Sequence, residues 1–186
     1  MRSVELSYIQ AVNEGLRWAL ASDERTLIFG EDVARPGGPF GSSRGLWREH
    51  GDRRIFDTPI SESAILGAAV GAAMRGYRPI VEIMFMDFTL VALDQIVNQA
   101  ANVRYVSRGA WTAPLTIRTQ QGATPGACAQ HCQSLEALFA HTPGLRVCLP
   151  ATPQDAYDLL RSSIVCDDPT LVIESRALYA QTAPVA

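Results

Sequence analysis

The sequence predicts an α/β fold in which a doubly wound, mostly parallel sheet carries helices on both of its faces. Strand and helix patterns alternate along the whole chain, and the strands are short and almost continuously apolar. Strands that are buried on both faces have this pattern, whereas strands of a sheet with one wet face alternate apolar and polar residues. With 186 residues, 47% of them hydrophobic, and no repeat or linker, we expect one domain over residues 1–186.

The first half of the chain contains three predicted helices and three predicted strands. Apolar residues at helical spacing indicate the first helix, and the run TLIFG indicates the first strand. The stretch RPGGPFGSSRG is typical of a loop, and Ser61 is placed to cap the third helix. The predicted elements are, in order, helix 8–20, strand 26–30, helix 46–50, strand 54–56, helix 63–74 and strand 79–85.

The second half continues the alternation, with a long helical pattern, the strand PLTIRT, a Gly-rich loop and two further strands. The predicted elements are helix 87–106, strand 114–119, helix 134–140, strand 145–150, helix 154–165 and strand 170–175. Ligands of open parallel sheets bind at the carboxyl ends of the strands. We therefore expect the functional site among residues 31–32, 57–62, 85–88 and 120–131, which follow predicted strands.

The charge and hydropathy patterns exclude several classes of protein. The net charge is −3 without any basic block, which argues against binding to nucleic acid or to an anionic membrane surface. The longest uncharged apolar run, residues 63–74, is too short to span a bilayer, and the N-terminus lacks the apolar core of a signal peptide. We expect a cytoplasmic protein without a membrane partner.

The residue inventory excludes further chemistry. Every basic side chain is an arginine, so the sequence offers no lysine for a Schiff base or a P-loop, and GxGxxG does not occur. The four cysteines do not resemble a disulfide framework, and the run CAQHC offers too few ligands for a structural zinc site. A cysteine hydrolase built on Cys132 would lack a nucleophile elbow around that residue.

Glu62 begins a helix that is otherwise built from small and aliphatic residues, in the stretch DTPISESAILGAAVGAAMRG. One interpretation is that the carboxylate complements the positive end of the helix, which stabilises it by about 0.3–1 kcal/mol. The other is that the carboxyl group is held for a basic nitrogen of a ligand. Gly67 and Gly71 of the same helix allow a second helix to approach closely, inside the domain or at a subunit interface.

Five stretches carry a family resemblance by their order and spacing. GEDVARPGGPFGSSRGLW, RIFDTPISESAILGAAVGAAM, PIVEIMFMDFTLVALDQIVNQAA, AQHCQSLEALFAHTPGLRV and LPATPQDAYDLL resemble the beta subunit of thiamine-diphosphate-dependent 2-oxoacid dehydrogenases. Pyruvate, branched-chain 2-oxoacid and acetoin dehydrogenase first components belong to this group. The resemblance covers nearly the whole chain and implies the pyrimidine-type domain of the thiamine-diphosphate-binding fold. The C-terminal transketolase-C-type domain of the family is expected to be absent here.

The resemblance implies two catalytic residues. Glu62 matches the glutamate that hydrogen-bonds the aminopyrimidine ring of thiamine diphosphate, where a carboxyl group favours the imino tautomer needed to activate the thiazolium carbon. His131 matches the histidine that faces the reacting intermediate, although a lone loop histidine is otherwise more often structural. The family usually has serine after this histidine, where the chain has Cys132.

The resemblance also implies residues that bind the cofactor. Phe88 matches the aromatic residue that stacks on the aminopyrimidine, and Met84 lies beside the ring. Ile60 matches a position whose backbone contacts the pyrimidine. Without the resemblance, Met84 and Phe88 are ordinary core residues at the end of a strand.

The resemblance also has implications for metal binding. The family holds the diphosphate and magnesium through a GDG motif, which this sequence does not contain, so the resemblance implies that an alpha subunit supplies both. Some members also bind potassium through backbone carbonyl groups. The matching positions are Leu115, Ser163, Ile164, Cys166 and Asp168.

The function that the resemblance implies is oxidative decarboxylation of a 2-oxo acid, such as pyruvate or a branched-chain 2-oxo acid, with acyl transfer to a lipoyl group. The expected partners are an alpha-type subunit and a second copy of this chain in a heterotetramer. A lipoyl-bearing acyltransferase and a separate chain with the C-terminal domain are further expected partners. Two alternatives remain open: a split transketolase-like carboligase and a non-catalytic partner subunit of the same fold.

Overall fold

The computed structural model describes residues 3–186. The strands are β1 (Val4–Ser7), β2 (Thr26–Gly30), β3 (Ile55–Asp57), β4 (Arg78–Ile83), β5 (Thr116–Gln121), β6 (Arg146–Cys148), β7 (Thr170–Ser175) and β8 (Thr182–Val185). The α-helices are α1 (Tyr8–Ser22), α2 (Leu46–His50), α3 (Glu62–Met74), α4 (Val103–Val106), α5 (Glu136–Ala140) and α6 (Pro153–Val165). None of the helices in this described part is long and apolar enough to cross a membrane.

A six-stranded sheet forms the centre of the fold, in the order β3-β2-β4-β5-β7-β6, and all of its neighbouring strands are parallel. From β2 the chain adds β3 on one side and then crosses to place β4 on the other side. The carboxyl ends of β2 and β4 therefore meet at a topological switch point, the place where open α/β sheets bind ligands.

Helices cover both faces of the sheet, each over its own apolar core. On one face α3 and the segment around Ile96 pack on the strands, with Leu66 and Phe139 fully buried. On the other face α1 packs along α6, with Leu16 and Leu160 in the core. This arrangement confirms the predicted doubly wound α/β fold.

The starts of the helices follow local sequence signals to different degrees. Capping boxes begin α1 at Ser7 and α6 at Thr152, where each hydroxyl accepts a hydrogen bond from the backbone three residues later. Ser61 occupies the predicted N-cap position of α3, but its hydroxyl makes no capping bond with the described residues. Glu62 is thus the first residue of a helix whose start depends on packing.

The single helix predicted for residues 87–106 is wrong. The segment forms a 3₁₀ turn (Met86–Leu90), a π-helix (Gln95–Ala100) and then α4. The break keeps Asp87 and Phe88 at the carboxyl edge of the sheet, while Ile96 and Ala100 reach the core. Helical spacing alone does not reveal such a break because the apolar residues keep their period on both sides.

The sequence also failed to predict the antiparallel pair of β1 and β8, which joins the two ends of the described chain. Each strand has only four residues and is partly exposed, so neither has a strong local pattern. The predicted strand 79–85 ends two residues early, at Ile83. Met84 and Phe85 therefore lie in the bend after β4.

Candidate functional site

The candidate site lies at the switch point, where three acidic residues lie at or after the ends of neighbouring strands. Glu31 comes directly after β2, Asp57 ends β3, and Glu62 begins α3. Asp57 is tied to the neighbouring loop, since one of its carboxylate oxygens accepts a 2.7 Å hydrogen bond from the backbone of Ala34. Glu31 and Glu62 are buried, with 9% and 7% exposure.

Glu31 and Glu62 form a buried pair of acids. Burial raises the pKa of Glu31, and the charges of Glu62 and Asp32 raise it further. Neither Glu31 nor Glu62 forms a salt bridge within residues 3–186. Such an arrangement favours a ligand that brings a basic nitrogen or shares a proton with a carboxyl group. Sequence analysis placed Glu31 at this edge but gave it no role.

An aromatic cluster forms the adjoining wall of the site. The ring centroids of Phe85 and His131 are 4.7 Å apart and those of Phe88 and His131 are 5.2 Å apart, both with nearly perpendicular planes. Phe85 and Phe88 also pack edge to face at 5.5 Å. The structure thus brings together the predicted residues Phe88 and His131, which lie far apart in the sequence. Met84 is half-buried in the bend that carries Phe85.

Ile60 lies on the loop between β3 and α3, and its side chain is 81% exposed. The predicted role of Ile60 concerns its backbone, so the exposure of its side chain does not test that prediction. An exposed isoleucine beside a buried acid nevertheless adds apolar surface at the rim of the site.

Arg176 fixes the loop that carries His131, and sequence analysis missed it. Its Nη2 donates hydrogen bonds to the backbone carbonyls of Gly122 and, at 2.6 Å, His131, and its guanidinium lies 4.9 Å from the centroid of the Phe85 ring. Asp87 holds the other side of the loop by accepting a 3.2 Å hydrogen bond from the backbone of Gln133. Both residues follow strands at the carboxyl edge of the sheet. This position is the one sequence signal from which they could have been predicted.

A second buried polar group lies under the site, within the sheet. Arg118 is 1% exposed and donates to Glu82 at 2.6 Å and to Glu174 at 2.8 Å. Tyr179 donates a 2.8 Å hydrogen bond to Glu174, and Gln120 donates to Glu82 at 3.1 Å. We call this group the buried triad, meaning Glu82, Arg118 and Glu174.

Opposing influences act on the pKa values of Glu174 and Arg118. Burial raises the pKa of Glu174 above its ordinary value, and the charge of Arg118 only partly offsets this. Burial alone would lower the pKa of Arg118, but the charges of Glu174 and Glu82 raise it above its usual range. Burial and the charge of Glu174 raise the pKa of Tyr179. The arginine therefore stays charged between two carboxyl groups.

The carbonyl groups predicted to bind potassium gather where α6 ends and β5 and β7 begin. The carbonyls of Ile164 and Cys166 both accept hydrogen bonds of 3.1 Å from Nη1 of Arg78. The Leu115 carbonyl accepts from the backbone of Thr170 at 2.9 Å. The Ser163 carbonyl accepts from the Cys166 backbone at 3.2 Å, and the Asp168 carbonyl accepts from the Thr170 hydroxyl at 3.3 Å. A potassium ion here would have to share its ligands with a guanidinium.

The four cysteines are free thiols, with Cys128 exposed and Cys132 half-buried. Across residues 3–186 there is no group of three or more His, Cys, Asp or Glu side chains that could hold a metal ion.

Comparisons with known proteins agree with this geometry. The family described as "Transketolase, pyrimidine binding domain" matches residues 4–182. The chain is 42% identical over 174 residues to the 2-oxoisovalerate dehydrogenase subunit beta of Bacillus subtilis, covering 94% of this chain and 53% of that protein. It is 43% identical over 177 residues to the mitochondrial pyruvate dehydrogenase E1 component subunit beta of Rattus norvegicus, covering 95% of this chain and 49% of that protein.

A solved structure shares the fold. It is a split gene transketolase, described as an inactive beta4 tetramer, which superposes with a TM-score of 0.73 at 18% identity. The match covers 92% of this chain and 52% of that one. The chain spans about half the length of the curated relatives it matches.

Proposed function

Since the chain belongs to the transketolase pyrimidine-binding domain family, we propose that it acts as the beta-type subunit of a thiamine-diphosphate-dependent 2-oxoacid dehydrogenase. The observation that carries the proposal is the buried carboxyl group of Glu62, which begins α3 at the switch point without a cationic partner among the described residues. The identity of 42% and 43% to two dehydrogenase beta subunits supports the same activity.

The residues at the site fit the aminopyrimidine part of thiamine diphosphate. Glu62 offers a carboxyl group to a ring nitrogen, and the nearby Glu31 is an acid whose pKa is raised by burial. Phe88 and Met84 supply the apolar wall for the ring, and the backbone of Ile60 is the third proposed contact. When bound, the cofactor supplies a carbon nucleophile that adds to the substrate carbonyl and accepts the electrons released as carbon dioxide leaves.

Each of the site residues then has a defined task. Glu62 holds or gives a proton at the ring nitrogen, in a pocket from which water is largely excluded. His131 is kept in place by two perpendicular aromatic rings and moves a proton at the reacting end of the substrate. Phe85 and Phe88 pack against the imidazole with nearly perpendicular ring planes.

The proposal includes partners that complete the site. Because the sequence contains no GDG motif, an alpha-type subunit would supply the ligands of the diphosphate and of magnesium. Potassium at the carbonyls of Leu115 and the end of α6 is part of the proposal, in competition with Arg78. A lipoyl-bearing acyltransferase would accept the acyl group, as the dehydrogenase activity requires.

The relatives distinguish this proposal from its alternatives. The split transketolase structure shares the fold at 18% identity, which does not favour carboligase chemistry. The two relatives described above, which are 42% and 43% identical to this chain, are named dehydrogenase subunits. The intact set of Glu62, Phe88 and His131 argues against a non-catalytic subunit. Decarboxylation of 2-oxo acids, tested beside ketol transfer between sugar phosphates, separates the two enzyme classes.

We propose that the outer face of α3 contacts the alpha subunit or a second copy of the chain. Gly71 is exposed, and a Cβ atom placed on it would meet nothing within 4 Å. Ile60 and Val91, exposed by 81% and 61%, flank the start of the helix, and Ser63 joins it to Val91 by a 2.7 Å hydrogen bond. A smooth face with apolar neighbours is typical of a buried helix contact.

Gly71→Leu tests this surface. Since the added side chain meets no atom of its own chain, the free energy of unfolding should stay within about 1 kcal/mol of wild type, helped by a better helix propensity. Assembly, measured by sedimentation velocity with the co-expressed alpha subunit, should be lost or weakened at least tenfold. Normal assembly of a stable variant would show that this face is not the interface.

Glu62→Gln tests the function itself. Glutamine keeps the shape of the side chain but cannot move a proton, so exchange of the thiazolium proton for deuterium should slow at least about 100-fold, or about 2.7 kcal/mol of barrier. The measurement uses the complex with the alpha subunit and needs no substrate. The matched control is Glu136→Gln, because Glu136 is also the first residue of a helix, α5, but lies in another part of the fold.

An electrostatic role at the helix start predicts a different result. Glu62→Gln would then cost up to about 1 kcal/mol of stability and leave proton exchange unchanged. Exchange within about threefold of wild type, in a complex whose Glu136→Gln control is also normal, would refute the catalytic assignment of Glu62.

A further inference from the structure

Arg176 is a buried cation at the candidate site that the function proposed above does not use. It follows β7 directly and is 8% exposed. Its known acceptors are the neutral backbone carbonyls of Gly122 and His131, together with Sγ of Cys132 at 3.9 Å. These contacts hold the guanidinium firmly without neutralising it.

The positive charge of Arg176 has no carboxylate partner among residues 3–186, because none lies within salt-bridge distance. Its Nε is buried without a hydrogen-bond partner. A buried charge that lacks a counter-charge is costly, so proteins rarely keep one without a use. The uncompensated charge of Arg176 points to an anionic ligand.

Two other arginines show how the positive charge of a guanidinium is compensated in this protein. Arg118 is more deeply buried and has two carboxylates around it. Arg54 also bonds backbone carbonyls, but its Nε is bonded to Thr26 and one of its acceptors is Leu20, near the negative end of α1. Arg176 has neither compensation.

The position of Arg176 identifies the anion. Its guanidinium lies 4.9 Å from the ring centroid of Phe85, and the other contacts of that ring include His131 at 4.7 Å. The cation and the imidazole, which the proposed function places at the reacting carbon, thus contact the same aromatic ring. In a 2-oxo acid the carboxylate is attached directly to that carbon, so its charge has to lie near this point.

We propose that Arg176 recognises the carboxylate of the substrate acid and selects 2-oxo acids over neutral donors such as acetoin. Nη1 is the donor for this contact, since it makes no hydrogen bond with the described residues and is not among the fully buried atoms. Because the carboxylate charge disappears when carbon dioxide leaves, the contact strengthens substrate binding and has its effect on KM. This inference depends on the proposed dehydrogenase function.

The test uses Arg176→Met in the complex with the alpha subunit, with pyruvate and 2-oxoisovalerate as substrates and an artificial electron acceptor. Methionine keeps an unbranched chain of similar length but removes the charge. KM should rise about 10- to 100-fold, the range expected for loss of a charge-assisted hydrogen bond, and by a larger factor than kcat falls through loosening of the loop that carries His131. Arg176→Lys, which keeps the charge, should recover most of the loss.

A merely structural role of Arg176 would change kcat and KM in a different way. If Arg176 only fixes the loop of His131, Arg176→Met should lower kcat, leave KM unchanged and not be rescued by lysine. Arg54→Met is the matched control, because it removes a carbonyl-bound arginine away from the site and should leave KM unchanged. An unchanged KM in Arg176→Met would overturn the inference.

Two further measurements separate this inference from the proposed function. Exchange of the thiazolium proton needs no substrate, so it should be normal in Arg176→Met, whereas its absence in wild type would refute the proposed function instead. If Arg176→Met does not fold, wild type decides: propionate should inhibit competitively and neutral propionamide should not. Equal inhibition by both, or turnover of acetoin without any 2-oxo acid, would contradict carboxylate recognition by Arg176.

Discussion

The protein buries charge in two ways at the same edge of one sheet. In the buried triad, Arg118 bonds two carboxylates, and Tyr179 and Gln120 supply further hydrogen bonds to them. The acids Glu31 and Glu62 are nearly as buried but have no cation beside them within the described chain.

The difference separates a structural role from a functional one. A buried charge that is fully paired fixes the strands that carry it, here β4, β5 and β7. Glu31 has no counter-charge, and burial together with the charge of Glu62 raises its pKa. An acid of this kind is a candidate for proton exchange with a ligand. Burial alone therefore does not distinguish the two roles, whereas the presence or absence of a counter-charge does.

The largest expected effect comes from breaking the triad. Arg118→Met leaves Glu82 and Glu174 buried side by side without their cation, which should lower the free energy of unfolding by about 3–5 kcal/mol. Urea denaturation measures this loss. The loss should be smaller at low pH, because protonation of the two carboxyl groups then removes their repulsion.

Arg104→Met is the control for that experiment. The Arg104–Asp168 pair has the same 2.6 Å separation as Arg118–Glu82, but the Arg104 side chain is 48% exposed. Its loss should cost at most about 1 kcal/mol, as for other surface ion pairs. If both variants lose the same stability, the triad does not fix the strands and the comparison between the two regions fails.

Only part of this comparison was predictable from the sequence. Glu62 follows a strand and begins a small-residue helix, so its position at the site could be predicted, and the family resemblance supplied its role. The triad could not be predicted, because its members are single charges within apolar strands. Glu82 and Arg118 become neighbours only through the register of β4 and β5, and Glu174 joins through β7. Register depends on tertiary packing, which local patterns do not contain.

The aromatic wall and Arg176 show the same limit. Phe88 and His131 meet because a 3₁₀ turn replaces the start of the helix predicted for residues 87–106. Arg176 is one of many arginines in the sequence, and nothing in its local context marks it as buried. The fold class needs only the period and order of the elements, while the site needs contacts between residues far apart in the chain.

The smallest expected effect comes from Glu31, one of the two acids without a cation beside it. Replacing Glu31 should raise the free energy of unfolding, whereas breaking the triad lowers it. Because the pKa of Glu31 is raised above its ordinary value of 4.5, the folded protein holds this proton more tightly than the unfolded chain does. Below pH 4.5 both states are protonated, and the site costs no stability. As pH rises from 4.5 through the folded pKa, the unfolded chain loses this proton first, so the folded protein is destabilised over that range and the loss is complete above it.

Glu31→Gln removes that cost, so the variant should be more stable than wild type at pH 7 and equal to it at pH 4. Urea denaturation at both values measures the difference, with the exposed Glu24→Gln as a control that changes at neither. An equal gain at both pH values would mean that packing, and not charge, is responsible. A loss of stability at pH 7 would mean that Glu31 has a favourable partner, and the contrast with the triad would then no longer hold.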